Sequence, residues 1–67
     1  MEYHEFKAVV QKRYLEMTKN DEDAQKYFIS NEAQDVIKRN YEAYKKPQHF
    51  AGVEPEATAY CLYMMQD

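Results

Sequence analysis

The side chains in this sequence with chemical potential are two histidines, one cysteine and twelve carboxylates. Neither His4 nor His49 belongs to an H-x-x-x-H or H-E-x-x-H pair, and Cys61 has no second cysteine with which to form a C-x-x-C. Metal sites depend on such spacings because they bring ligands onto one helix face or one turn. Both histidines therefore read as surface residues, and no metal or other cofactor is expected. A nucleophilic thiol needs an accessible, electropositive setting. Cys61 is flanked instead by Tyr60 and Leu62, with the acids Glu54 and Glu56 upstream, and reads as a small buried hydrophobe. The run Asp21, Glu22, Asp23 is explained by the start of a helix, and one glycine cannot build a phosphate-cradling loop. A non-enzymatic protein is the expectation.

One segment has the composition of a nucleic-acid surface. Lys38, Arg39, Tyr41, Tyr44, Lys45 and Lys46 interleave cations with aromatic rings, which can contact phosphates and stack bases. Against this, a recognition helix usually reads bases with its first residues, and here Asn31, Glu32, Gln34 and Asp35 include two acids. Tyr41 and Tyr44 read more simply as core residues with a solvated cationic face outside them. A small nucleic-acid-binding regulator is the alternative function. A third reading makes Asp21–Asp23 with Glu32 and Asp35 the surface of an acidic inhibitor of a basic partner.

The elements that must position these groups follow from hydrophobic spacing and from where the helix breakers fall. Gly52, Pro47 and Pro55 lie in one nine-residue window, and nothing before it contains either residue type. No window alternates as a half-buried strand does, so the fold class expected is all-α, a small bundle of about four helices over roughly 2–19, 21–29, 32–45 and 55–66, forming one domain over 1–67. In the first, Tyr3, Phe6, Val10, Tyr14 and Met17 form one stripe at ~100° per residue, with Leu15 nearly opposite it. Asn20 reads as the cap of the second helix, which presents Ala24, Tyr27 and Phe28. A single helix over 21–46 would point that cluster about 180° away from Ala33, Val36, Ile37, Tyr41 and Tyr44. A break at Ser30–Asn31, both competent caps, lets the two clusters share a core. Lys45 and Lys46 complement the end of the third helix and Pro47 stops it. Phe50 and Val53 in the following loop are expected to plug one end of the bundle, and Pro55 suits a first helical position.

The last helix has apolar residues all round. Ala57, Tyr60, Cys61 and Met64 make one stripe, expected to face the core. Leu62 and Met65 lie off it on one side, and Ala59 and Tyr63 on the other. Three short helices cannot easily wrap such a helix completely, so either it is the central helix of the bundle or part of it meets another chain. The expected function is a protein–protein interaction module, or a homodimer, presenting this helix through Leu62, Tyr63 and Met65, with Leu15 extending the patch. Tyr and Met suit that role, one offering area with a polar tip and the other an adaptable shape. The partner is another protein or a second copy of the chain, with nucleic acid disfavoured and no small-molecule substrate implied.

Bulk properties set the frame. Sixty-seven residues hide only about 60% of the unfolded chain's surface, which excludes doubly wound nucleotide folds and (β/α)₈ barrels. Leu, Ile, Val and Phe number only eleven, but seven Tyr and four Met make up the shortfall, and the net charge of −3 is too low to force expansion. The charge is blocky: +1 over 1–19, −4 over 20–37, +3 over 38–49 and −3 over 50–67. A negative total opposes nonspecific attraction to nucleic acid or anionic membranes. The first ten residues, with Glu and His, lack the basic start and apolar run of a secretory signal. Met1 reads as a true amino terminus, and one unpaired cysteine fits a reducing cytoplasm.

Overall fold

A computed structural model describes residues 1–65 of the chain. Four α-helices pack around one core: α1 (Tyr3–Thr18), α2 (Glu22–Phe28), α3 (Asn31–Tyr44) and α4 (Pro55–Met65), with a 3₁₀ turn at Ala51–Val53 before α4. The molecule is an all-α bundle, and no strand occurs among the described residues. None of the described helices is long and apolar enough to cross a membrane. The expected end of α4 at Gln66 lies outside the described residues.

α1 carries the stripe its spacing predicts. Phe6, Val10 and Tyr14 are buried, and Tyr3 and Met17 are half-buried against the core. Its first turn is closed by the Glu2 N–H donating to the Glu5 carboxylate at 2.9 Å, where an acid also meets the positive end of the helix dipole. Its last turn ends on two consecutive left-handed residues, Lys19 (φ 56°) and Asn20 (φ 57°). The Asn20 N–H reaches back to the Leu15 carbonyl at 2.9 Å, the long-range bond of a Schellman ending. Asn20 is therefore part of the exit from α1, and the cap expected there belongs to Asp21, whose carboxylate accepts from the Asp23 N–H at 3.0 Å. The reversal between α1 and α2 needs both left-handed residues, which puts Asn20 one position too early to cap.

The break between α2 and α3 falls at Ser30. The Ser30 hydroxyl accepts from the Ala33 N–H at 3.2 Å and donates to the Tyr27 carbonyl at 2.6 Å, while the Gln34 side chain donates to the Phe28 carbonyl at 2.6 Å. These bonds satisfy groups that the two helix ends would otherwise leave unpaired. Ala24 and Phe28 on one side of the corner and Ala33, Val36 and Ile37 on the other consequently share one core. The outer residue of the corner, Ile29, is 73% exposed.

The end of α3 lies across the start of α1. Tyr41 meets Tyr3 and Phe6 edge-on, with ring centroids 5.2 and 5.3 Å apart, and Tyr44 meets Phe6 at 5.2 Å. In the connection to α4, Val53 is buried as expected, but Phe50 is 70% exposed and plugs nothing. Its ring folds back over Gly52, where a Cβ would stand 2.5 Å from Phe50 Cε2. Lacking a side chain, Gly52 gives the ring a local seat outside the core.

Candidate interaction surface

α4 packs principally against α1, and its inward side is Thr58, Ala59 and Leu62, all fully buried. The one polar member is held from both sides: Asn40 of α3 donates to Thr58 Oγ1 at 2.9 Å, and that hydroxyl donates to the Val53 carbonyl at 3.3 Å. A buried hydroxyl without such partners would cost about 1–3 kcal/mol, so the bond from Asn40 favours the rotational setting of α4 that places Thr58 inward.

That setting reverses two expectations. The stripe Ala57, Tyr60, Cys61, Met64 faces outward: Tyr60 is 55% and Met64 62% exposed, Cys61 is exposed, and Ala57 is half-buried. Cys61 is thus no core residue, and its sulfur lies 4.0 Å from Met65 Sδ on the helix exterior. Leu62, expected at the partner surface, is enclosed by its own chain. It belongs with Ala59 and Thr58 because those three share the arc that α1 and α3 cover. Tyr63 and Met65, 40% and 39% exposed, do lie on the surface. The Tyr60 and Tyr63 rings neighbour one another with centroids 6.4 Å apart.

Leu15 does not extend this patch. It is half-buried against the core and lines a separate groove of about 390 Å³ between α1 and α2, with Gln11, Phe28 and Ile29 among its neighbours. α2 covers part of what the sequence leaves bare. Sequence reasoning missed Tyr60, Met64 and Ile29 as exposed apolar residues. The stripe holding the first two is visible in the spacing, but not the side it faces.

The basic segment is divided between surface and core. Lys38, Arg39, Lys45 and Lys46 are all exposed, with Lys45 Nζ 3.2 Å from the Glu42 carboxylate and 5.4 Å from the Tyr41 ring centroid. Tyr41 is half-buried with its hydroxyl donating to the Met1 carbonyl at 2.8 Å, and Tyr44 is packed between Phe6 and His49. Both rings are engaged within the fold. His49, exposed, lies 4.7 Å from Tyr44 ring to ring, with Nδ1 3.2 Å from the Lys46 carbonyl oxygen, and His4 is exposed on α1. Among the described residues, no three His, Cys, Asp or Glu side chains gather as a metal-binding group.

Of the acids, Asp21 caps α2 and Glu32 accepts a hydrogen bond from the Tyr27 hydroxyl at 3.1 Å, while Glu22, Asp23 and Asp35 face solvent. Desolvation first, then the bond to Glu32 and its charge, push the Tyr27 phenol up to about 12. Its folded value lies above the ordinary value of 10.0, so the stability it contributes is complete below pH 10 and is lost as pH climbs from 10 to 12. Phenolate absorbance should accordingly show Tyr27 ionising well after the exposed tyrosines, in a late group with Tyr3 and Tyr14, whose phenols burial also raises. Replacing Glu32 with Gln should bring that midpoint down without reaching the ordinary value, because burial remains. An unchanged midpoint would mean that the carboxylate has no part in it.

Compared with protein-family models, with curated proteins and with solved structures, the chain matches none.

Proposed function

We propose that the chain is a small non-enzymatic interaction module of the cytoplasm that engages another protein surface through the outward face of α4. One observation carries this reading: Tyr60, Cys61, Tyr63, Met64 and Met65 are exposed on the last turns of one helix, and no charged residue occurs from Ala57 to Met65. Scattered apolar residues on a surface need no explanation, but a contiguous patch does, and Tyr and Met are enriched where proteins meet. The basic segment supports a nucleic-acid role less well, since Tyr41 and Tyr44 have their rings against α1 and His49.

An interaction face is one that the fold does not need. The double variant Tyr60→Glu, Met64→Glu, at low micromolar concentration, is expected to keep its helical circular dichroism and to melt within a few degrees of wild type, since exposed substitutions typically cost under about 0.5 kcal/mol each. Wild type should enhance the fluorescence of an anilinonaphthalene dye and the double variant should not. Unfolding of the variant, or equal dye response, would refute the reading.

A further inference from the structure

We infer that the occupant of the α4 face is the α4 face of a second copy of this chain, paired antiparallel across a two-fold axis. This rests on the interaction reading above and adds the identity of the partner. The outward stripe runs Ala57, which is half-buried, and then Tyr60, Cys61 and Met64, which are exposed, a spacing of i, i+3, i+4, i+7, which is the pattern by which one helix meets another. Its residues also alternate in size, Ala and Cys being small and Tyr and Met large. A two-fold axis makes each contact occur twice, with the partners exchanged. With the axis passing between Tyr60 and Cys61, Ala57 stands opposite the partner subunit's Met64, and Tyr60 opposite the partner subunit's Cys61. Every large side chain then meets a small one, as interdigitating helices require. No charged side chain from Ala57 to Met65 has to be stripped of water on either copy, whereas a charged partner would lose hydration without gaining an ion pair.

The area sets the strength. The exposed parts of Tyr60, Cys61, Tyr63, Met64 and Met65 offer on the order of 400 Å² per copy, so the pair buries somewhat under the ~1,000 Å² at which specific interfaces begin. The dimer is weak and reversible, forming as concentration rises through the micromolar range and above.

Sedimentation equilibrium from about 10 μM to 1 mM tests this, with Cys61→Phe as the decisive variant. The substitution enlarges the apolar surface, so indiscriminate stickiness would strengthen association. In the antiparallel pair it sets Phe against Tyr at two symmetry-related places, and overpacking of that kind should weaken the dimer at least tenfold. Tyr60→Ala in the Cys61→Phe background restores large against small and should recover the dimer. Wild type that stays monomeric at the highest concentration overturns the second copy as occupant, and so does a Cys61→Phe variant that associates as well as or better than wild type. Neither result touches the interaction reading, which stands or falls on the stability and dye response of the Tyr60, Met64 variant.

Discussion

Leu62→Glu is expected to unfold the protein at room temperature. Leu62 is fully enclosed among Phe6, Val10, Tyr14 and Ile37 and the rest of the core. Deleting a buried leucine side chain costs about 2–5 kcal/mol before any charge is considered. A carboxylate in its place has no cation to meet in that cluster, and its desolvation adds several kcal/mol unless the group takes up a proton. A chain of 67 residues has a total stability of only about 3–10 kcal/mol at typical values per residue, so the loss equals or exceeds the margin. Far-ultraviolet circular dichroism at 25 °C should show the helices gone, whereas Met64→Glu, two residues along the same helix and 62% exposed in wild type, should leave them intact. If the two variants behaved in the opposite way, α4 would be packed by its other side and the stripe beginning at Ala57 would be the buried one.

Phe6→Ala is expected to be nearly as damaging. Phe6 is the aromatic hub where α1 meets α3: it is fully buried, with Tyr41 edge-on at 5.3 Å and Tyr44 tilted at 5.2 Å. Truncating a buried phenylalanine costs about 3–5 kcal/mol, and each lost ring pair adds about 0.5–1.5 kcal/mol beyond area. At about 4–8 °C per kcal/mol for a domain of this size, the melting temperature should fall by roughly 20 °C or more. Phe50→Ala is the matched control. That ring is 70% exposed over Gly52, and its removal should shift the melt by only a few degrees. Equal losses from the two phenylalanines would show that the end of α3 does not rest on Phe6.

The fold is legible in the amino-acid sequence wherever the residue types leave a single physical outcome. The stripe of α1 gathers five of its large apolar residues on one face and leaves Leu15 as the main exception, so that face turns inward. At Ser30, the two apolar clusters of 24–28 and 33–44 would diverge in a continuous helix, and only a break unites them; Ser30 then caps α3 as its chemistry requires. Structure is not legible in the sequence where local alternatives are chemically equivalent and the choice is made by tertiary packing. Asn20 is a competent cap in isolation, but the reversal after α1 needs it in the left-handed region, a demand set by how α2 returns to the core. Phe50 looks like a plug because it is large and apolar; its placement depends on Gly52 leaving room beside it. For α4 the spacing exposes an amphipathic ambiguity, since Ala57, Tyr60, Cys61 and Met64 are as apolar as Ala59 and Leu62. Of the three α4 residues expected at the surface, Tyr63 and Met65 are exposed and Leu62 is enclosed, while Tyr60 and Met64 of the stripe expected to face the core are exposed instead.

The link from Asn40 to Thr58 favours the observed side of α4 and implies a division of labour. Apolar character alone does not distinguish the sides of α4, because apolar residues lie all round it. A directional polar link works as a key in a slot: one angular position engages it and every other leaves it open. In this small protein, cohesion and orientation therefore have separate sources, and the same key that seats Leu62 also determines which side chains the helix offers to the world outside.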